Sequence, residues 1–276
     1  MNPADLDSQA LLDRILASSK YRSAGLNPET VLDLIRQETP RQATEKAVYK
    51  TIRQKLHNII APYLGEPDYT GLSEELAAMG HPDPDSPEIK DFSLRVLQEH
   101  ASTAERIPYQ KAFYERLFAI TGKPGSILDL ACALHPLAFP WMGLPLSTQY
   151  HAYDIVQPRV DFINQFFSTL DLEPLAENRD ILVHPPEINA ELGIFFKEAH
   201  RFEKRRPGCN RDFWASLKVN CLAISLPTQD LAGTHSLLDQ HRSLVYQNLP
   251  EGCDVQELLF SDEVVFVVKH GRVNNK

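Results

Sequence analysis

The chain has 276 residues, 43% of them hydrophobic, with 37 Asp and Glu against 28 Lys and Arg and a formal net charge of −9. That length suits one large domain or a core domain with an added module, and the acidic balance argues against general attraction to nucleic acid, leaving that role to local basic patches. No membrane span or signal peptide is expected, and the four scattered cysteines, Cys132, Cys209, Cys221 and Cys253, form no C-x-x-C pair, which speaks against a metal site and for a reduced, cytoplasmic setting.

The first hundred residues read as helices. Leu11, Leu12, Ile15 and Leu16 keep helical spacing behind Asp7 and Ser8. Asn27 followed by Pro28 is an N-cap with proline at the first helical position, and Val31, Leu32 and Ile35 mark the face that helix buries. Thr39-Pro40 repeats the signal, with Gln42 completing a capping box. It predicts a long helix that buries Ala47, Val48, Ile52, Leu56, Ile59 and Ile60 and turns Lys46, Lys50, Arg53, Lys55 and His57 outward. GHPDPDSP at 80–87 is a turn-rich linker. Ser86-Pro87 then starts a helix ending near His100. Ser102 with Glu105 forms another capping box, for a helix through Phe113, Tyr114, Leu117 and Phe118 that Gly122 stops.

From Ser126 the pattern changes. Strands are expected at 126–131, 149–154, 174–178, 191–196, 219–225, 254–260 and 263–269, with helical runs at 158–170, 197–205 and 235–247. Such alternation implies a mainly parallel sheet covered by helices on both faces. The last two strands are close enough for a tight antiparallel hairpin. The fold class is therefore α/β, a Rossmann-like sheet over 101–276 preceded by an all-helical module over 1–100.

The chemistry concentrates in SILDLACALHPLA at 126–138 and YHAYD at 150–154. A buried strand opens into Ala131, Cys132 and Ala133, and a second strand ends in Asp154. Small residues let backbone approach a ligand, and a carboxylate about 20 residues on takes ribose hydroxyls, so Asp154 is either that acceptor or a surface carboxylate. The usual glycines are missing, which favours S-adenosylmethionine (SAM), with no pyrophosphate to cradle, over a dinucleotide. Asp129 either orients the loop or caps the strand. Asp180, with Ile181 beside it, is either an acceptor for the adenine amino group or a turn aspartate. Arg106 is either a bidentate clamp for the methionine carboxylate, helped by His100 and Ser102, or an exposed arginine. Cys132 reads as a small filler. The run KEAHRFEKRR at 197–206 is a solvated helix face or, with Arg53, Lys55 and His57, a phosphate-contacting stripe. Ser225, Pro227 and Thr228 form a structural turn or a loop bracketing a flat base.

Taken together the residues resemble the aminoglycoside-resistance 16S ribosomal RNA (guanine-N7) methyltransferases of the Arm/Rmt group. The marks are ILASSKY at 15–21, KLH at 55–57, HAST at 100–103 with Glu105-Arg106, ILDLACALHPLA at 127–138, YHAYDI at 150–155, FFK at 195–197, ISLPT at 224–228 and EVVF at 263–266. The resemblance implies a SAM-binding α/β domain and an N-terminal module that docks on the 30S ribosomal subunit. It also implies cofactor contacts at the positions matching His100, Ser102, Arg106, Ala131, Ala133, Asp154, Ile155, Asp180 and Lys197. The chain departs from the family's G-C-G-x-N-P-L with ACALHPL at 131–137, and from its basic, glycine-rich loop with Gln229, Asp230 and THSLL at 234–238.

The implied reaction is methyl transfer to 16S rRNA. Guanine N7 has a free lone pair and no proton to lose, so catalysis rests on positioning and not on a general base. Lys197 and Glu203 are the residues expected at the reacting centre, acting through placement. Two alternatives remain open: a methyltransferase of a small molecule, suggested by the acidic surface, and a non-catalytic SAM-fold protein binding RNA or a partner, suggested by the altered Ala-Cys-Ala turn.

Overall fold

The computed structural model describes residues 7–42, 44–60, 67–230 and 233–269. Four helices come first: α1 (Ser8–Leu16), α2 (Ser19–Ala24), α3 (Pro28–Glu38) and α4 (Glu45–Ile60). The Asn27 cap is present, its Oδ1 accepting the Glu29 N–H at 2.9 Å. The Thr39-Pro40 start is not. Thr39 Oγ1 donates back to the Ile35 carbonyl at 2.8 Å, so it serves the end of α3, and Thr39–Arg41 form only a 3-10 turn. Gln42 bonds Glu38 and completes no box. Thr44 Oγ1 instead accepts the Ala47 N–H at the start of α4. These helices share a hydrophobic cluster of their own, including Leu11, Ile15, Val31, Leu34, Val48, Ile52 and Leu56.

Next come α5 (Tyr69–Ala78), α6 (Pro87–Gln98), the short α7 (Ala101–Ala104) and α8 (Gln110–Thr121). The Ser102–Glu105 box does not form. Ser102 Oγ lies 2.8 Å from His100 Nδ1, and the chain turns through a 3-10 segment, Ile107–Tyr109, before α8. Leu76, Ile89, Phe92, Val96 and Leu97, inside the expected N-terminal module, pack with the core of the sheet.

The sheet holds β1 (Ser126–Leu130), β2 (Gln149–Asp154), β3 (Ala176–Asn178), β4 (Ala190–Phe196), β5 (Val219–Pro227), β6 (Asp254–Leu259) and β7 (Glu263–Lys269) in the order β3-β2-β1-β4-β5-β7-β6. The first five strands are parallel, and β7 runs antiparallel to both β5 and β6, as the short connection implied. Helix α9 (Gln157–Thr169) shares one face with α5, α6 and α8. The helices α10 (Ala199–Arg205), α11 (Cys209–Ser216) and α12 (Leu238–Asn248) cover the other. Strand β7 shows why both faces are dry: Val265 and Val267 join one cluster, and Val264, Phe266 and Val268 the other. Each such side chain contributes about 1.5–3 kcal/mol when fully buried.

Strand order reverses between β1 and β4, and in open α/β sheets that switch point opens a crevice at the carboxyl ends of the strands. Two strands end where the backbone leaves its regular region: β1 stops before Ala131 with φ 56°, and β4 stops before Lys197 with φ 59°.

Candidate active site

A cleft of about 1700 Å³ lies at this switch point. It brings together Ala131, Ala133, Asp154, Ile155, Asp180 and Ile181 with Lys55, Glu203 and Pro227. Among the other expected site residues, Arg53, His57, His100, Ser102, Arg106, Cys132, Lys197, Ser225 and Thr228 are not on its wall.

The turn after β1 is its floor. Ala131 and Ala133 have φ of 56° and 48°, the left-handed region that suits glycine. Each costs roughly 1–2 kcal/mol there. The turn is held by two bonds to the end of β2: the Cys132 N–H to the Tyr153 carbonyl at 2.9 Å, and the Ala133 N–H to Asp154 Oδ2 at 3.1 Å. Cys132 is buried, and burial with nearby Asp129 and Asp154 pushes its thiol well up, so it is no nucleophile. Asp154 also takes the Val156 N–H at 2.9 Å and Arg159 Nη1 at 2.7 Å. A carboxylate offers about four acceptor positions, so three protein donors leave room for a ligand hydroxyl. Asp129 does not orient this turn directly. It accepts from Tyr150 Oη at 2.7 Å and lies 2.7 Å from His135 Nδ1, whose Nε2 reaches Tyr114 Oη at 2.8 Å.

Asp180 closes the far end. Its Oδ1 takes the Leu182 N–H at 3.1 Å, and its Oδ2 takes Thr30 Oγ1 and Arg205 Nη1, each at 2.7 Å. Ile181 is buried beside it.

Arg106 differs from its expected form. It is buried, not exposed, and its Nε and Nη2 grip Glu263 at 2.7 and 2.8 Å. The guanidinium sits between the rings of Phe113 and Phe196, 4.3 and 4.5 Å from their centroids. The fork expected on the methionine carboxylate is thus held by Glu263. Burial would raise the Glu263 carboxyl, but the Arg106 charge and hydrogen bond hold it low. His100 is pushed down to about 3, first by burial and then by Arg159, Arg201 and Lys197, so it is neutral at pH 7.

Lys197 is buried. Its N–H donates to the Ser225 carbonyl at 2.8 Å, and its Nζ pairs with Glu105. Glu203 accepts from the Gly208 N–H and from Asn210 Nδ2 at 2.9 Å, closing the turn between α10 and α11. Ser225, expected at an RNA face, is fully buried because β5 runs on to Pro227. Thr228 is also buried, donating to the Ser261 carbonyl at 3.2 Å. Of that trio only Pro227 reaches the cleft. On α4, Arg53 is exposed, Lys55 bonds Glu38 at 2.6 Å, and His57 Nδ1 lies 2.8 Å from Lys20 Nζ. Asp230 accepts from the Thr234 and His235 N–H groups, where the family pattern has basic residues.

Sequence reasoning missed Glu263 as a partner, Arg159, and the pair His200 and His241, whose rings lie 5.5 Å apart on the cleft wall. The available signal for the first was general: a buried arginine requires a buried carboxylate. Among the described residues no group of three or more His, Cys, Asp or Glu is arranged to hold a metal, and no helix is long and apolar enough to cross a membrane.

The strand order, the antiparallel β7 and the carboxylate closing β2 beside a left-handed small-residue turn define a Rossmann-like SAM-dependent methyltransferase carrying added N-terminal helices. Residues 17–266 match the family described as ribosomal RNA methyltransferase (FmrO), and the chain belongs to that family. A Frankia casuarinae protein named 16S rRNA (guanine(1405)-N(7))-methyltransferase is 31% identical, the match covering 97% of this chain and 96% of that one. A Proteus mirabilis protein of the same name is 26% identical over 92% and 94%. The solved 16S rRNA methylase RmtB superposes with a TM-score of 0.79 at 25% identity, covering 96% of this chain and 99% of its own. RmtF, solved in complex with S-adenosyl-L-homocysteine, gives 0.79 at 25% identity over 97% and 99%.

Proposed function

We propose that this protein methylates N7 of a guanine in 16S rRNA, acting on the 30S subunit. The observation that carries the reading is the left-handed Ala131–Ala133 turn docked on Asp154 at the switch point of the sheet. SAM supplies, when bound, an electrophilic methyl group on a sulfonium. The residues present fit it. Asp154 retains an acceptor position for a ribose hydroxyl, Asp180 and Ile181 take the adenine edge and face, and the backbone of Ala131, Cys132 and Ala133 lies against the middle. Arg106, with Glu263 fixing the plane of its guanidinium, and neutral His100 with Ser102 support the methionine end from off the cleft wall.

The nucleophile needs no base, because N7 carries its lone pair in the ring plane. The chain's work is to place that nitrogen in line with the methyl group. Lys197 and Glu203 act by placement: Lys197 fixes the end of β4 against β5 and Glu105, and Glu203 holds the turn from α10 into α11. Pro227 presents an apolar edge to the base. Helix α4 supplies the docking charge through Arg53 and Lys55, with His57 beside Lys20 as a further polar contact. Residues 7–60 carry nine Lys and Arg against six Asp and Glu, so this stretch is locally basic within an acidic chain. The test is transfer of radiolabelled methyl from SAM to purified 30S subunits, with the product mapped by primer extension. Label on N7 of one guanine is expected, and no transfer to 30S particles overturns the reading.

A further inference from the structure

The segment joining α2 to α3 lies against the carboxyl ends of β2 and β3. Leu26 forms an antiparallel bridge with Val156, the Asn27 N–H donates to the Ile155 carbonyl at 2.8 Å, and the Gln157 N–H donates to the Gly25 carbonyl at 3.1 Å. Gly25 is required there: its φ is 52°, and a Cβ would stand 2.9 Å from Pro158 Cδ. Asn27 Nδ2 donates to the Asn178 carbonyl at 3.0 Å and to its Oδ1 at 2.6 Å. The first residues after the N-terminal helices thus back directly onto Ile155 and the approach to Asp180.

The deeper contacts are ionic. Asp180 Oδ2 takes both Thr30 Oγ1 and Arg205 Nη1 at 2.7 Å. Arg205 Nη2 continues to Asp33 Oδ2 at 2.7 Å, and Arg206 Nη2 reaches Asp33 Oδ1 at 2.7 Å. Gln37 Nε2 also donates to Asp33 at 2.8 Å. Thr30, Asp33 and Asp180 are all buried. A buried carboxylate keeps its charge and its direction only through such partners. Two of the groups that fix Asp180, Thr30 directly and Asp33 through Arg205, stand on α3 and not on the sheet.

We propose that Thr30 and Asp33 are positioning residues for the cofactor, aiming Asp180 from the N-terminal helices, so that this module forms part of the SAM site as well as the docking arm. The inference rests on the assignment of Asp180 to the adenine edge. It has a thermodynamic corollary. Helix α3 shares its hydrophobic cluster with α4, the helix that carries the basic face. Any shift of α3 on docking changes SAM affinity, and SAM changes docking by the same factor.

Calorimetric titration of the full chain with SAM tests this. Thr30→Val and Asp33→Asn weaken SAM about tenfold, the scale of one lost hydrogen bond to a charged group. Thr30→Ser, which keeps the hydroxyl, retains wild-type affinity. In steady-state assays on 30S subunits the KM for SAM rises in the two impaired variants, while kcat at saturating SAM and the KM for 30S hold. Thermal unfolding checks that each variant is folded, and Thr30→Ala replaces Thr30→Val if the latter is not. Asp180→Asn separates the two levels of the argument. Lost affinity there with wild-type affinity in Thr30→Val and Asp33→Asn overturns this inference alone. Unchanged affinity in Asp180→Asn overturns the role of Asp180 and the inference with it.

Discussion

Two stretches of the N-terminal hundred residues carry opposite charge. Residues 7–60 hold nine Lys and Arg against six Asp and Glu, whereas residues 67–99 hold two against eight. The first stretch has its own hydrophobic cluster and places Lys55, Asn58, Ile59 and Ile60 on the cleft wall; no residue of the second lines the cleft. The second packs on the sheet through Leu76, Ile89, Phe92, Val96 and Leu97. A net charge summed over the whole chain therefore misleads. Attraction to a polyanion depends on the charge within a Debye length of the contact, about 8–10 Å at working salt, and here the acidic stretch adds nothing to the cleft wall that the basic stretch lines.

The contrast breaks most visibly under charge reversal. Lys46→Glu, Lys50→Glu and Arg53→Glu together should weaken 30S binding about a hundredfold or more and flatten its salt dependence by roughly two to three units of log–log slope. The matched reversal Glu74→Lys, Asp85→Lys and Glu88→Lys should leave both nearly unchanged. Filter binding across a salt series reads the two sets, and equal losses in both would erase the distinction.

Asp154→Ala sharpens the contrast from the cofactor side. It removes a hydrogen bond to a charged group and takes a carboxylate away from buried Arg159, so SAM binding should fall by about 1.5–3 kcal/mol in calorimetry while 30S binding persists. Parallel loss of both would mean the modules do not bind separately.

Acid does the same through stability. His100 and His200 are each held down to about 3, in both cases chiefly by burial. Above pH 6.5 neither the folded nor the unfolded chain protonates them. Below it the unfolded chain takes up protons that the folded one refuses, so stability declines as pH falls from 6.5 toward 3, by up to about 1.4 kcal/mol per pH unit for each histidine. Denaturant midpoints measured between pH 7 and 5 should show that slope, and His200→Gln should reduce it. Single-turnover methyl transfer, by contrast, should stay flat between about pH 6.5 and 8.5 at saturating SAM. A sigmoidal profile in that window would point to a target that must lose a proton.

The smallest effect belongs to the cleft floor. Ala133→Gly relieves a left-handed alanine but adds freedom to the unfolded chain, and the net gain should be about 0.5 kcal/mol, visible as a slightly raised Tm.

The sheet was legible because its strands are short apolar runs separated by turn residues, and every expected strand is present within two residues of its place. The helix 209–216 escaped notice, since CNRDFWAS has neither a cap signal nor a clean apolar stripe. Asp154 was legible because a strand-end carboxylate is a local pattern. Arg159 and Glu263 were not, because their meaning lies in partners that only the tertiary fold supplies. Ser225 shows how a boundary error becomes a site error. Leu226-Pro227 reads as a break, yet β5 pairs with β7 as far as Pro227 and Glu263, and the serine goes inside. The altered ACA turn shows the reverse: the glycines are gone, but the left-handed backbone they usually serve remains.

The Arg106–Glu263 pair spans 157 residues of chain. Arg106 leaves the translating ribosome long before its carboxylate exists, and at 5–20 residues per second the wait is roughly ten to thirty seconds. During that interval the guanidinium has no buried counter-charge, and the place beside β5 that β7 will fill stays open. The methyltransferase sheet therefore closes only once β7 has been made, and until then the growing chain offers the apolar edge of β5 to chaperones and proteases.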